Sequence, residues 1–192
     1  MDATYWLAPL KFIIDTLSTL YSGAILLRLL LQWVKADYYN PICQFVVKIT
    51  HPLLRPLRRA VPSVGRFDLA SLVLLLILQI LTMLLLASLP GVTLPGLFGI
   101  PVLAIMRALE LFFDLYVGII LGSALLSWIS PHSNSPVASL LYSLSDPLLE
   151  IARRRMPDLG GLDLSPLVVL MVLELARMML MPILQQLFRL LN

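Results

Sequence analysis

Four long apolar stretches constrain this chain more than any other feature. A helix that crosses a bilayer needs about 20 mostly apolar residues, because the hydrocarbon core is roughly 30 Å thick. Four stretches meet that length: about Phe12 to Trp33, about Leu69 to Leu89, about Leu109 to Ile129 and about Ser165 to Phe188. The second is nearly pure Leu, Ile and Val; the first and third are less apolar. Of the 192 residues, 59% are hydrophobic and 13% charged, whereas a soluble domain carries about a quarter charged residues. Lipid is the solvent that this balance suits, and the expected fold class is all-α integral membrane. Between the second and third stretches, Pro90, Gly91, Pro95, Gly96, Gly99 and Pro101 cannot continue a helix, so residues 91–101 read as a Pro/Gly linker on one membrane face. The first residues, Met-Asp-Ala-Thr-Tyr-Trp, hold no basic n-region, and no small-residue cleavage site follows the first apolar run. The first helix is therefore expected to stay in the mature protein.

The chain matches itself at a shift of 95 residues. Trp33 falls on Trp128, Pro41 on Pro136, and Pro52-Leu53-Leu54 on Pro147-Leu148-Leu149. Arg58 and Arg59 fall on Arg153 and Arg154, Pro62 on Pro157, Gly65 on Gly160, and Asp68-Leu69 on Asp163-Leu164. Gly23 falls on Gly118. Leucine matches carry little weight in such a chain, but Trp, Pro, Arg, Gly and Asp at one fixed offset read as a duplication. Residues 1–90 are expected to form a first repeat and 102–192 a second, each with two spans joined by a basic segment. An even number of spans gives both repeats one orientation. Alternating-access transporters more often use inverted repeats.

The segment inside the first repeat carries Lys35, Lys48, Arg55, Arg58, Arg59 and Arg66; that of the second carries Arg153, Arg154 and Arg155. The other ends of the spans carry only Lys11, Arg107 and Arg189. Loops rich in Lys and Arg stay cytoplasmic. Both basic segments are thus expected in the cytoplasm and both termini outside.

Asn40-Pro41 and Ser135-Pro136 stop the preceding helices and restart the chain. Residues 42–50 and 137–145 are too short to span and suit a short interfacial helix. Thr50-His51-Pro52 and Ser145-Asp146-Pro147 then read as a cap followed by Pro at the first helical position, which starts a new helix to Ala60 or Arg155. That helix, leucine-rich at its start and arginine-rich at its end, suits the headgroup level. Three readings of its arginines stand: contact with anionic lipid, a plain topological anchor, or docking of a partner protein. A turn at Gly65 and at Gly160-Gly161 follows. Asp68 and Ser165 are candidate caps of the next spans, with Pro166 in the first turn. Asp163 is expected either to help reopen the helix or to pair with an arginine of its own segment.

Charged residues inside a bilayer are costly and usually face the bundle interior. Asp15, Arg28, Glu110, Asp114, Glu174 and Arg177 lie within or near spans. Arg28 lies about five residues from one end of the first span and Glu174 about nine from the same face in the fourth. At 1.5 Å rise per residue, a long Arg side chain can close that difference. Gln79 is the 95-residue partner of Glu174, and Arg177 can reach Asp114. A buried polar cluster of Arg28, Gln79, Asp114, Glu174 and Arg177 is expected. It is open to three readings: structural pairs, a polar path or ion site, and snorkelling to the lipid surface. Gly118 and Gly122 match small-xxx-small spacing, taken as packing only.

Several chemistries find no support. The single cysteine, Cys43, excludes an internal disulfide and a cysteine-built metal site. His51 and His132 lie in loops at non-equivalent positions, so no metal site is expected. No nucleotide loop or catalytic triad is present, so no enzyme, cofactor or nucleic-acid partner is expected.

The doubled pattern runs Trp, Pro, (Ser/Thr)-x-Pro-Leu-Leu-x-x-x-Arg-Arg-x-x-Pro, then Gly-x-x-Asp-Leu. It is clearest at Ser145, Asp146, Pro147, Arg153, Arg154, Pro157, Gly160, Asp163, Ser165 and Pro166. It resembles the YggT family, once per repeat and over essentially the whole chain. The first repeat departs from it, with His51 in place of Asp and Ala70-Ser71 in place of Ser-Pro. The resemblance implies a small protein of the bacterial inner membrane, with chloroplast relatives. It also implies links to osmotic or envelope stress, potassium uptake, cell division and the assembly of membrane complexes. Two functions are then expected. One is a non-enzymatic scaffold or stress factor whose basic segments meet anionic headgroups, a membrane-protein partner or a second copy. The alternative is a small potassium-permeation or transport-supporting protein.

Overall fold

The computed structural model describes residues 3–63, 68–92, 94–130, 135–156 and 163–192, with backbone alone for 3–6. The described residues form six helices and no strand: α1 (Ala3–Trp33), α2 (Pro41–Ala60), α3 (Leu69–Ala87), α4 (Gly99–Ile129), α5 (Pro136–Arg153) and α6 (Ser165–Leu191). Four of them are long and apolar enough to cross a membrane: α1 from Leu7, α3, α4 and α6. Such helices suit lipid because every backbone group between the ends bonds within its own segment. The expected Gly65 and Gly160-Gly161 turns, Arg66, His132 and Pro157 lie outside the described residues.

α1 packs mainly on α3, α4 mainly on α6, and α3 against α4 joins the two pairs. α2 and α5 lie at the same end of the bundle, where the Asn40 side-chain amide donates to the Pro136 carbonyl at 2.7 Å. The apolar core gathers towards that end: Ile25, Leu30, Leu54, Leu75, Tyr116 and Leu144 are nearly or wholly buried within it. At the opposite end Lys11 Nζ donates to the Pro90 carbonyl, 3.2 Å, and the Gly96 amide donates to the Asn192 side chain.

α1 stops in a turn where Lys35 takes φ 55° and Ala36 N–H donates back to Leu31 O at 3.0 Å. A lysine in the left-handed region costs roughly 1–2 kcal/mol, so packing holds this turn. α4 starts at Gly99, inside the stretch expected to be linker. Pro101 sits in its first turn, where the missing N–H has no partner to lose.

The expectation of two short helices on each side of Pro52 and Pro147 is corrected. α2 runs unbroken through Pro52 and Pro56, and α5 through Pro147. In α2 the buried side chains are Cys43, Val46, Thr50 and Leu54, one stripe that continues past the proline. Breaking the helix at Thr50 would split that stripe and expose Leu54, which is wholly buried. Thr50 is accordingly a mid-helix residue and not a cap, its hydroxyl donating to Val46 O at 2.6 Å. The true caps are Asn40, which accepts from Ile42 N–H, and Ser135, which accepts from Ala138 N–H.

Candidate functional site

The shared end of α2 and α5 is the basic end of the molecule. Arg55, Arg58 and Arg59 lie on the last turns of α2, and Arg153, Arg154 and Arg155 at the end of α5, all exposed. One arginine in each set is tied back to the start of the following span. Arg58 pairs with Asp68. Arg153 Nε and Nη2 meet Asp163 Oδ2 at 2.8 and 2.7 Å, and Asp146 lies 3.8 Å away. Arg154 pairs with Glu150 at 2.6 Å. Among the described residues, Arg55, Arg59 and Arg155 hold no ion pair and face outward.

The two aspartates also set the entry of α3 and α6. Asp68 caps α3, accepting from Ser71 N–H at 3.3 Å and Ser71 Oγ at 2.8 Å. Burial alone would raise its carboxyl, but the hydrogen bonds from Arg58 and Ser71 outweigh it and hold Asp68 below the usual carboxylate range. Asp163 shows both roles left open by the sequence: it pairs with Arg153 and accepts from Ser165 N–H at 2.9 Å. Burial opposes its ionisation too, and the Ser165 and Arg153 hydrogen bonds again win, so its carboxyl is also depressed. Ser165 is not the cap expected of it. It is the first helical residue after Leu164, and its side chain is buried.

The remaining motif residues frame this end. Trp33 and Trp128 lie at the last turns of α1 and α4, 39% and 70% exposed. That is the level at which tryptophans line membrane interfaces. Pro62 follows α2, Pro166 stands in the first turn of α6, and Gly160 lies outside the described residues.

The expected intramembrane cluster separates into two places. Arg28 is the correction. Its residue is 7% exposed, and Nη1 donates to Thr50 Oγ1 at 2.7 Å and to Val47 O at 3.2 Å, both on α2. The long side chain turns to the basic end instead of going deeper. A cavity of about 430 Å³ opens beside it, lined among others by Gln32, Tyr38, His51 and Arg58.

The other members lie near mid-span. Gln79 is buried and donates to Ser22 Oγ at 3.3 Å. Arg177 reaches Asp114 at 2.8 Å and stands 3.9 Å from Glu174. These three are not buried: the side chains of Asp114, Glu174 and Arg177 are 60%, 44% and 32% exposed. A second cavity, about 240 Å³, brings Gln79 and Asp114 together with Asp15, Thr19, Arg107 and Glu110. Asp15 and Arg107 approach to 3.8 Å. The cluster expected from the sequence omits Asp15, Thr19, Arg107 and Glu110. The 95-residue shift holds the missed signal, since it lays Asp15 on Glu110 and Thr19 on Asp114.

Comparison with known proteins places this geometry. The chain is 41% identical over 169 residues to the Pseudomonas aeruginosa protein PA0392, covering 88% of this chain and 86% of that one. It is 37% identical over 180 residues to YggT of Escherichia coli, covering 92% and 91%. Over 88 residues it is 36% identical to the chloroplastic YlmG homolog protein 2 of Arabidopsis thaliana, covering 46% of this chain and 32% of that one. No solved structure matches the chain. The family model described as CCB3/YggT matches it at residues 7–89 and again at 102–184. The chain belongs to the CCB3/YggT family.

Proposed function

We propose that this is a duplicated, non-enzymatic scaffold of the bacterial inner membrane. Its basic end faces the cytoplasm and seats α2 and α5 against anionic headgroups. One observation carries the reading. At a single end of the bundle, two helices bury an apolar stripe on one side and present Arg55, Arg59 and Arg155, without ion pairs among the described residues, on the other. A basic cluster at the edge of a span attracts anionic lipid by about 1 kcal/mol per residue. An envelope or osmotic stress role would follow if that contact anchors a membrane partner or a second copy.

Trp33 and Trp128 lie at the C-terminal ends of α1 and α4, the end of the bundle that holds these arginines, and can report the contact. The protein, with Trp6→Phe removing the third tryptophan, is reconstituted in mixtures of brominated phosphatidylglycerol and phosphatidylcholine. Preferential quenching by the anionic lipid is expected, and Arg55→Gln, Arg59→Gln and Arg155→Gln together should remove the preference. Equal quenching by both lipids in the unaltered protein would sink the reading.

A second reading, permeation or support of permeation by a small cation such as potassium, is favoured by the mid-span cavity. There Asp15, Glu110 and Asp114 share the lining with Arg107, and Arg177 pairs with Asp114. Potassium flux into liposomes, compared with Asp114→Asn and Glu174→Gln, tests it. Flux lost in the folded variants would favour permeation. Flux no greater than in empty liposomes, at either sign of potential, would leave the scaffold.

A further inference from the structure

We propose that the cavity beside Arg28 binds one phosphate group, so that each chain holds a single phosphate ligand at its basic end. The inference rests on the reading of that end as a lipid-facing surface, and gives it one discrete site.

Arg28 is the reason. Its residue is only 7% exposed, yet both acceptors of its Nη1 are neutral, the Thr50 hydroxyl and the Val47 carbonyl. No carboxylate lies within ion-pair distance of it among the described residues. A buried guanidinium without a counter-charge is costly and calls for an anion. The space for one is adjacent. The cavity of about 430 Å³ is bordered by Arg28, Gln32, Tyr38, His51 and Arg58, and no carboxylate lines it. Its size falls within the usual range of ligand sites. Arg58 is held at the rim by Asp68 and by a long contact to Gln32 Oε1, 3.5 Å. It is thus positioned, with Asp68 directly against it, while Arg28 has no carboxylate at ion-pair distance among the described residues.

Guanidinium groups are suited to phosphate because their planar N–H fork matches two phosphate oxygens. The depth agrees. Arg28 lies five residues before the end of α1 at Trp33, about 7.5 Å along the axis. A headgroup phosphate or a free phosphate can enter from that end.

The second repeat does not keep all of these residues. The positions 95 residues later keep Ser145 for Thr50 and Arg153 for Arg58, but put Ser123 for Arg28 and Asp146 for His51. Ser123 donates to its own helix, to Ile120 O at 2.9 Å, and Asp146 adds negative charge 3.8 Å from Arg153. Among the described residues, the second half thus holds no cation at the place of Arg28 and holds a carboxylate at that of His51.

The test is native mass spectrometry of the detergent-solubilised full chain, titrated in one arm with phosphatidylglycerol and in the other with inorganic phosphate. One ligand per chain is expected to survive desolvation. Arg28→Gln should weaken it about tenfold or more, the loss of a charged hydrogen bond. His51→Asp, at the exposed mouth, should weaken it as well and serves if Arg28→Gln does not fold. Arg189→Gln, exposed on the last turn of α6 at the opposite end of the bundle, should leave it unchanged. Binding in the lipid arm alone identifies a headgroup; binding in the phosphate arm identifies a free anion. A lipid or phosphate retained at full strength in folded Arg28→Gln and in His51→Asp overturns the proposal, as does no bound ligand in either arm. Neither result would alter the tryptophan-quenching outcome, which depends on Arg55, Arg59 and Arg155.

Discussion

Arg177 Nη1 meets Asp114 Oδ1 at 2.8 Å, joining α6 to α4 near the middle of both helices. It is one of the few polar ties between two helices that otherwise pack through apolar side chains. Polar ties between spanning helices couple by about 0.6 kcal/mol on average and at most about 1.7. A double-mutant cycle of Asp114→Ala and Arg177→Ala, read by thermal unfolding in detergent, is expected to give about 1 kcal/mol of coupling. Arg177→Ala alone should be less stable than the double, because it strands the Asp114 carboxylate, whereas Asp114→Ala still leaves Arg177 beside Glu174, 3.9 Å away. Additive effects would mean that the pair contributes nothing to holding α6.

Asp68 should make the fold sensitive to acid. Its side chain is wholly buried and paired with Arg58, and its carboxyl is held below the usual range. A depressed carboxyl contributes stability that is fully present above the unfolded value, about 3.9, and is lost as pH falls through the lower folded value. Asp163 acts in the same direction. The thermal midpoint should therefore hold between pH 7 and 5 and drop below about pH 4. Asp68→Asn should lower the midpoint at pH 7 and flatten the acid limb. An unchanged acid limb in that variant would place the sensitivity elsewhere.

The spans were legible because length and apolarity act directly on the lipid solvent, and Leu69 to Leu89 nearly coincides with α3. Other features turn on contacts between elements. A proline after a capping residue reads locally as a helix start, yet the stripe from Cys43 to Leu54 is buried by other helices and carries α2 through Pro52. Rise per residue gives the depth of Arg28 and Glu174 but not the direction each faces. Arg28 faces α2, whereas Glu174 is half-exposed and stands 3.9 Å from Arg177 on its own helix. The Gly118 and Gly122 spacing likewise holds two different environments. A side chain at Gly118 would meet open space, while one at Gly122 would press Leu141 at 3.3 Å.

Cys43 permits a test of orientation. It is 5% exposed, and burial, with Asp37 nearby, pushes its thiol up, so little reactive thiolate forms. A membrane-impermeant maleimide should leave the unaltered protein unlabelled until it is denatured. Against that silent background, Arg59→Cys should label only from the cytoplasmic side. Leu97→Cys, at a residue 79% exposed in the turn before α4, should label only from outside. The reverse pattern, or both labels from one side, would contradict the proposed placement of the basic end.

Pro52 offers the sharpest check on the continuous α2. Its ring is exposed and it stands inside the helix, so the Lys48 carbonyl lacks the N–H that an ordinary residue at 52 would supply. Proline in a helix interior is less favourable than alanine by about 3 kcal/mol, which bounds the gain from replacing it. Part of that gain is offset here, because Thr50 and Arg28 already tie the same turn to Val46 O and Val47 O. Pro52→Ala should therefore raise the thermal midpoint in detergent and leave helical content unchanged or slightly higher. If Pro52 instead opened a separate helix, its missing N–H would lack no partner, and alanine would bring no gain. A lower midpoint would show that the bend imposed by the ring is what seats Leu54 in the core.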